Sequence, residues 1–380
     1  MKIVVCTDSF KGSLTSVQAG ELMIQGLRRV FPQAAYHLLP MADGGEGTAD
    51  TLARALGGRM ERVRVHNPLG DAIETEIGIL PDGSAVMDMA SASGITLIEP
   101  KHLNPLLADT FGTGELIRHA LDLGCRRIYL GIGGSATNDG GSGMARALGA
   151  RFLDSSDREL SPGGGALIHL SSVDCSRLDP RLEQTELIVI CDVNNPLCGP
   201  DGASAVYGPQ KGASPDMVCA LDAALEHYQT VLTRQTGLDL AWHPGAGAAG
   251  GLGYGLMVFA NARLQPGVDT LLQLCHFEEM MDGCDLVVTG EGRIDAQSAH
   301  GKTPCGVARA ANRHSVPVVA IGGSLGEGAE ALYEVRVCGL ESCVRRVMPL
   351  EEALSQVSVL LPQAAERAGR MLRAGNRMHF

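Results

Sequence analysis

The sequence is poor in aromatic residues and in lysine. Phenylalanine, tyrosine and tryptophan make up 4% of the 380 residues, and there is one tryptophan. Only five of the 31 basic residues are lysines, and the formal net charge is −12. The arginines are scattered along the chain and form no basic tract. An acidic chain without a basic patch disfavours nucleic acid as a partner.

Long apolar runs and paired cysteines are also missing. No run reaches the ~18 apolar residues that a membrane helix needs, so we expect no membrane partner. The apolar start of the chain, residues 1–6, is too short for a signal peptide, and the acidic Asp8 follows closely. The eleven cysteines form no Cys-x-x-Cys pair, which argues against a zinc site and against a disulfide framework. We therefore expect a cytoplasmic protein.

The composition and length are those of a folded protein with two domains. Hydrophobic residues make up 45% of the chain and charged residues 19%, which argues against disorder. A chain of 380 residues exceeds the usual size of one core. Both chain ends alternate strand and helix patterns, so we expect them to share one parallel sheet. From residue 59 the pattern changes to the alternation of an antiparallel meander, which we interpret as the start of an inserted domain.

One glycine-rich segment, residues 131–143, is the strongest candidate for a ligand site. It contains six glycines, follows the apolar run 127–130 and precedes a helical pattern. A loop between a strand and a helix exposes backbone N–H groups that bind phosphate. A simple turn needs only about one or two glycines. We therefore interpret the segment as an anion or nucleotide site.

Carboxylates follow at least four of the predicted strands. They are Asp8, Asp43 with Glu46, Asp192, and Glu291 with Asp295. Ligands bind at the carboxyl ends of strands in open α/β sheets, although any one such acid is more often a helix cap. Three of the five lysines, at positions 11, 211 and 302, lie beside glycine. Together these residues are the parts that Mg²⁺-dependent phosphoryl transfer requires.

Two other functions remain open at this point. Gly131-x-Gly133-x-x-Ala136 fits the relaxed dinucleotide fingerprint, and Asp154 lies near the expected offset. An NAD-dependent hydroxy-acid dehydrogenase is therefore the alternative, although Asp139 would repel a pyrophosphate. A metabolite-binding protein without catalysis is the third interpretation, and it would not need so many carboxylates in loops.

Seven motifs together resemble the bacterial glycerate kinase family of the first type. They follow the family's order from residue 3 to beyond residue 300. In this sequence they span residues 8–14, 42–48, 131–141, 191–197, 208–213, 245–251 and 289–295. One departure is Cys6-Thr7, which stands where the family usually has Ala-Pro.

The resemblance implies both a fold and an activity. The fold is a two-domain α/β protein, with a flavodoxin-like or Rossmann-like parallel-sheet domain built from residues 1–58 and 280–380 and an inserted α/β domain over 59–279. The activity is transfer of the γ-phosphoryl group of ATP to D-glycerate in a cleft between the domains, with Mg²⁺ as cofactor. The family's usual product is 2-phosphoglycerate, but the residues themselves do not distinguish C2 from C3.

On this basis we assign candidate roles. Asp192 is expected to orient or deprotonate the glycerate hydroxyl, and the other catalytic candidates, which neutralise phosphate charge, are Lys11 and Lys211. The substrate-binding candidates are Asp8, Ser9, Asn195 and Arg293, of which Arg293 is expected to bind the glycerate carboxylate. The candidates for binding ATP are Gly133, Gly134, Ser135, Thr137, Asn138 and Asp139. The metal candidates are Glu291 and Asp295, with Asp43 and Glu46 as alternatives. The sequence leaves a homo-oligomer open.

Overall fold

The computed structural model describes residues 1–41, 44–45, 47–299 and 301–375. The strands are β1 (Lys2–Thr7), β2 (Ala35–Pro40), β3 (Arg59–His66), β4 (Ala72–Ile79), β5 (Ala85–Asp88), β6 (Arg127–Gly131), β7 (Arg151–Leu153), β8 (Ser172–Asp174), β9 (Glu186–Ile190), β10 (Arg263–Gln265), β11 (Leu286–Ile294), β12 (Val318–Leu325) and β13 (Val337–Ser342). The α-helices are α1 (Ser16–Arg28), α2 (Thr48–Ala55), α3 (Ala90–Ser93), α4 (Phe111–Asp122), α5 (Ser142–Ala147), α6 (Ala203–Tyr207), α7 (Pro215–Thr236), α8 (Ala248–Ala260), α9 (Gly267–Leu274), α10 (Phe277–Met280), α11 (Thr303–Arg313), α12 (Leu350–Ser355) and α13 (Val357–Gly375).

The chain divides into two compact units. Unit 1 consists of residues 1–43 and 266–380, and unit 2 consists of residues 44–265. Unit 2 is thus a continuous segment inserted between the two parts of unit 1. No helix in the described ranges has both the length and the apolar character needed to cross a membrane.

Unit 1 is built on a five-stranded sheet with the strand order β13-β12-β11-β1-β2. All its strand pairs are parallel. Its core packs Val5 of β1, Val288 of β11 and Ile321 of β12 against Met23 of α1 and Leu361 of α13. Such strands are buried on both faces, which explains the unbroken apolar runs in the sequence. The α/β class and the parallel sheet from both chain ends are confirmed.

Unit 2 is built on a six-stranded mixed sheet with the order β10-β9-β6-β5-β4-β3. The strands β3, β4 and β5 pair antiparallel, whereas β5, β6, β9 and β10 pair parallel. Leu130 of β6 and Val189 of β9 belong to one core with Leu116 of α4 and Leu256 of α8. A smaller core lies around Tyr228 of α7, and β7 and β8 form a separate two-stranded sheet. The parallel half positions the loops that follow β6 and β9.

The inserted unit spans residues 44–265, whereas the sequence analysis places the inserted domain at 59–279. The helix α2 belongs to unit 2 because it packs on β4 and β5. The helix α9 belongs to unit 1 because it packs on α11, with Val268 against Gly306. An amphipathic pattern predicts that a helix covers a sheet, but it does not say which sheet.

Candidate active site

Two carboxylates lie side by side at one edge of the unit 1 sheet. Thr7 of β1 pairs with Gly290 of β11, so Asp8 and Glu291 follow at the same level of neighbouring strands. Asp8 and Glu291 are both buried residues, with less than a tenth of each exposed. The Asp8 N–H donates to the carbonyl of Gly290 at 2.9 Å. Adjacent parallel strands therefore bring together two acids that are far apart in the sequence.

The strand β11 is longer than the sequence predicts. The sequence analysis places Glu291 after the end of a strand, and this is wrong, because β11 continues to Ile294 and pairs with β12 there. A Cβ on Gly290 would lie 2.2 Å from the carbonyl oxygen of Ile321. Glycine is thus required at this position by the close approach of a neighbouring strand rather than by a turn.

The Ser298 hydroxyl connects two of the predicted metal ligands. Its Oγ donates to Oε1 of Glu291 at 2.5 Å and accepts the N–H of Asp295 at 3.1 Å. Burial raises the pKa of Glu291, and the nearby Asp8 and Asp295 raise it further, whereas the bond from Ser298 and the charge of Lys302 lower it. The balance of these effects raises the pKa of Glu291 above its usual value.

Asp8 is held in place by the loop that follows it and by α11. Its Oδ1 accepts the N–H of Ser9 at 2.6 Å, and its Oδ2 accepts the hydroxyl of Thr303 at 3.4 Å. A Cβ on Gly292 would lie 3.3 Å from the backbone nitrogen of Lys11, so this loop runs close to β11. The backbone of Ser9 thus contacts the Asp8 carboxylate, and the backbone of Lys11 lies beside β11.

The unit 1 carboxylates are candidate ligands for a cation. Among the residues that the structure describes, no three histidine, cysteine, aspartate or glutamate side chains are grouped as in a metal site. Asp43 and Glu46, the alternative metal ligands, lie outside the described residues. Mg²⁺ commonly uses only about one or two carboxylates together with substrate phosphates. Glu291 and Asp295 fit such a site, since they are two carboxylates close to one another around Ser298.

The glycine-rich loop after β6 uses many of its backbone N–H groups within unit 2. The N–H of Gly133 donates to Gly44, that of Ala136 to Ser93 and that of Gly140 to Gly250, at 3.0–3.1 Å. In the described part of the chain, the N–H groups of Gly134 and Ser135 have no acceptor. Gly134 is exposed. The part of the loop that is available to an anion is therefore short and lies around residues 133–135.

Asp139 is fully buried and binds two helix starts. Its carboxylate accepts the N–H and hydroxyl of Thr110, at 3.0 and 2.8 Å, and the N–H groups of Gly141 and Gly143, at 3.2 and 2.9 Å. The Thr110 hydroxyl in turn accepts the N–H of Met144 at 2.9 Å. Asp139 and Thr110 together satisfy donors at the starts of α4 and α5, as helix caps do.

Next to this cap lies Asp109, a second buried carboxyl group. Burial and the neighbouring charge of Asp139 raise the pKa of Asp109 to about 6. Its Oδ1 accepts the N–H of Phe111 at 3.0 Å. The start of α4 thus contains a group that titrates close to neutral pH.

Lys211 is buried below the same loop, with 1% of the residue exposed. Its Nζ donates to Oγ of Ser135 and to the carbonyl of Thr137, both at 2.7 Å. Burial lowers the pKa of Lys211 to about 7, against the opposing effect of Asp139. Asn138, also fully buried, donates from Nδ2 to the hydroxyl of Ser204 at 2.9 Å. Lys211 and Ser204 therefore fix residues 135–138 of the glycine-rich loop from its buried side.

The loop after β9 carries Asp192 and Asn195. Asp192 is exposed, whereas Asn195 is half-buried. The Nδ2 of Asn195 donates to the carbonyl of Asp201 at 2.8 Å, and its Oδ1 accepts the hydroxyl of Tyr207 at 2.6 Å. The amide of Asn195 therefore closes this loop, which carries the exposed carboxylate of Asp192.

The described candidates fall into two groups. Unit 1 contains Asp8, Ser9, Lys11, Glu291, Arg293 and Asp295, and unit 2 contains Gly133, Gly134, Ser135, Thr137, Asn138, Asp139, Asp192, Asn195 and Lys211. The Arg293 side chain is 68% exposed and its Nε lies 3.2 Å from Oδ2 of Asp295.

The sequence analysis did not identify Ser298 and Thr110, whose hydroxyl groups bind candidate carboxylate residues. Ser298 lies three residues after Asp295 and could have been read as its local partner. Thr110 binds Asp139 across 29 residues, and nothing in the sequence indicates that pairing.

Comparisons with known proteins agree with the resemblance seen in the sequence. The model of the glycerate kinase family matches residues 3–373. Glycerate kinase from Halalkalibacterium halodurans is 50% identical to this chain over 96% of both proteins. Glycerate 2-kinase from Escherichia coli is 44% identical over 93% of both. A crystal structure from Salmonella typhimurium LT2, assigned as glycerate kinase 2, matches with a TM-score of 0.89 at 44% identity over the whole of both chains.

Proposed function

Because this chain belongs to the glycerate kinase family, we propose that it transfers the γ-phosphoryl group of ATP to D-glycerate, with Mg²⁺ as cofactor. The observation that carries the proposal is the family match along nearly the whole chain, residues 3–373. The name of the Escherichia coli relative, glycerate 2-kinase, favours 2-phosphoglycerate as the product. The same match favours phosphoryl transfer over the alternative of an NAD-dependent dehydrogenase.

Asp192 is the proposed group that orients or deprotonates the glycerate hydroxyl. In this step the hydroxyl oxygen bonds to the γ-phosphorus, the bond from that phosphorus to the ADP oxygen breaks, and the hydroxyl proton passes to the carboxylate. The exposure of Asp192 on the loop after β9 supports this role. The bonds of Asn195 to Asp201 and Tyr207 support a role in shaping the same loop.

Substrate charge is the proposed target of the basic residues of unit 1. Lys11 lies on the exposed loop after β1 and would neutralise phosphate charge. Arg293 would bind the glycerate carboxylate, because an exposed guanidinium can donate two parallel hydrogen bonds to a carboxylate. Asp8 and Ser9 are the further substrate-binding candidates.

Glu291 and Asp295 are the proposed ligands of Mg²⁺, with Asp43 and Glu46 as alternatives. When bound, Mg²⁺ supplies positive charge that stabilises the phosphate oxygens during transfer. The buried Ser298 hydroxyl supports the role of Glu291, because it fixes one carboxylate oxygen and lowers the pKa that burial raises.

The phosphates of ATP are proposed to bind at Gly133, Gly134 and Ser135. Support comes from the exposure of Gly134 and from the N–H groups of Gly134 and Ser135, which have no acceptor among the described residues. Thr137, Asn138 and Asp139 are fully buried, so they would support the phosphate site through the protein interior.

A direct assay tests the proposal. The purified protein is mixed with ATP, Mg²⁺ and D-glycerate, and in a parallel reaction with NAD and D-glycerate. We expect ADP to form in the first reaction and no NADH in the second. Phosphorus NMR of the product then distinguishes 2-phosphoglycerate from 3-phosphoglycerate. The absence of ADP formation with D-glycerate would contradict the proposed activity.

A further inference from the structure

The buried Lys211 ammonium contacts the one polar side chain in the open part of the glycine loop. Nζ donates to Oγ of Ser135 and to the carbonyl of Thr137, both at 2.7 Å, so two of its three protons are used within the protein. Lys211 is 1% exposed, Ser135 is 7% exposed and Gly134 is exposed. The ammonium therefore cannot contact a large ligand itself, whereas Ser135 lies next to the open part of the loop.

This contact leaves the Ser135 hydroxyl with a proton to donate. Because Oγ accepts a hydrogen bond from an ammonium, its own O–H is available to another acceptor. Within the described residues neither this hydroxyl nor the N–H groups of Gly134 and Ser135 have an acceptor. Three neighbouring donors are thus unused by the protein, and such a group suits an anion.

The backbone around these donors is held on both sides. The N–H of Ile95 donates to the carbonyl of Gly134 at 2.9 Å, and the N–H of Ala136 donates to the carbonyl of Ser93 at 3.0 Å. Lys211 also donates to the carbonyl of Thr137, which fixes the backbone on the C-terminal side of Ala136. The donors are therefore ordered before any ligand binds, which lowers the entropy cost of binding.

We propose that Lys211 is a positioning residue that acts on the nucleotide phosphates through Ser135, by fixing the hydroxyl as a donor to a phosphate oxygen. The inference rests on the proposed function, because it takes residues 133–135 as the phosphate site. The ammonium polarises the hydroxyl that it contacts, and a polarised donor bonds more strongly to a charged acceptor. The ligand class is a nucleoside triphosphate.

The inference has a pH signature. Lys211 titrates near pH 7 because burial lowers its pKa, and Asp139 is the charged group that acts on it. A bound phosphate favours the charged ammonium, so affinity is full at pH values below this pKa. It should fall as the pH rises above it, by up to about tenfold per pH unit. Loss of the Ser135 hydroxyl should weaken this dependence.

Calorimetric titration with MgATP tests the inference on four proteins: wild type, Ser135→Ala, Lys211→Met and the double variant. We expect each single variant to bind about ten- to a hundredfold more weakly, and the double variant to bind about as weakly as either single one. Lys101→Met is the matched control, since Lys101 is an exposed lysine of the same unit paired with Glu99, and its affinity should not change.

Three results would overturn the inference. The first is unchanged affinity in either single variant, and the second is a double variant whose loss is the product of the single losses. The third applies if Lys211→Met does not fold: wild type and Ser135→Ala would then show the same change in affinity between pH 6 and 8.

Wild-type protein that neither binds MgATP nor turns over would instead overturn the proposed function along with the inference. Wild-type binding with unaffected variants overturns the inference alone.

Discussion

Three candidate carboxylates of this protein differ in how far they are exposed. Asp139 is fully buried and accepts four hydrogen bonds from Thr110, Gly141 and Gly143. Asp192 is exposed on a loop. Glu291 is buried, and burial raises its pKa while the hydrogen bond from Ser298 lowers it. The sequence assigns Asp139 to ATP binding, Asp192 to the glycerate hydroxyl and Glu291 to Mg²⁺, and the structure places these three carboxylates in different surroundings.

Asp192→Asn tests the proposal that this carboxylate orients or deprotonates the glycerate hydroxyl. An amide keeps the shape of the side chain but cannot take a proton, so kcat should fall by about 10²- to 10⁴-fold. Steady-state kinetics at saturating ATP and D-glycerate measure this. The matched control is Asp201→Asn, an exposed aspartate further along the same segment. Turnover near the wild-type rate in Asp192→Asn would show that the role belongs to another residue.

Ser298→Ala tests the link between the two metal candidates. Without its hydroxyl, Glu291 loses the hydrogen bond that lowers its pKa, so the carboxylate should protonate at higher pH. A protonated carboxyl group binds cations poorly, and we expect the rise of activity with pH to move to higher pH. The apparent affinity for Mg²⁺ should fall by about 10- to 100-fold.

The measurement is kcat/KM against pH and against Mg²⁺ concentration. Ser355→Ala, an exposed serine of the same unit, is the control. A pH profile and Mg²⁺ dependence equal to those of the wild type would separate Ser298 from metal binding.

At the scale of the elements, the starts of α4 and α5 share one set of caps. Thr110 donates to Asp139 and accepts from Met144, so one hydroxyl serves both helices. A helix start without such partners leaves buried donors unsatisfied. The glycine loop between β6 and α5 therefore depends on a residue from another segment of unit 2.

Thr110→Val should destabilise the protein while keeping its shape. The substitution removes both hydrogen bonds of the hydroxyl, and we expect the free energy of unfolding to fall by about 1–3 kcal/mol. Urea denaturation with an unchanged m-value measures the loss. Thr230→Val on the exposed face of α7 should change it by less than about 0.5 kcal/mol. Equal losses in the two variants would argue against the shared cap.

Asp109→Asn should make stability less dependent on pH. The pKa of Asp109 is raised to about 6 in the folded protein, against about 3.9 in the unfolded chain. Protonation therefore stabilises the fold at low pH, and this contribution is lost as the pH rises through 6. At pH 7.5 the variant should be more stable than the wild type by about 1–3 kcal/mol. Near pH 4 the difference should vanish.

Urea denaturation at a series of pH values measures this difference, with Asp201→Asn as the control. A constant difference between variant and wild type across the range would mean that Asp109 does not titrate there.

At the scale of the whole molecule, unit 2 is formed by one continuous segment of the chain, whereas unit 1 is formed by two separate segments. Unit 2 spans residues 44–265 and has its own cores around β6, β9 and α7. Unit 1 needs both chain ends to complete its sheet. A continuous segment with its own core should fold independently.

A fragment of residues 44–265 should therefore unfold cooperatively in urea. The fragment 59–279, cut at the bounds taken from the sequence, lacks α2, which packs on β4 and β5. It should unfold at a lower urea concentration, because buried Leu52 and Ala53 are missing from the sheet. Near-UV circular dichroism and urea titration of both fragments measure this. A less stable 44–265 fragment would place the boundary elsewhere.

The α/β class, the parallel sheet from both chain ends and the family were determined by the amino-acid sequence alone. Apolar runs such as that of β1 and the seven motifs are local patterns of sequence, which can be recognised without knowing the packing of the chain. The length of β11 was not predicted. Gly290 is required by the close approach of the neighbouring strand β12, whereas in the sequence this glycine indicates a turn.

Only the tertiary structure decided which side chains face one another. Lys211 meets Ser135 across 76 residues, and Asp139 meets Thr110 across 29. Such pairs depend on which strands lie side by side and on which groups lose contact with water. Hydrogen-bond partners of buried groups are set by this packing, and no short stretch of sequence contains that information.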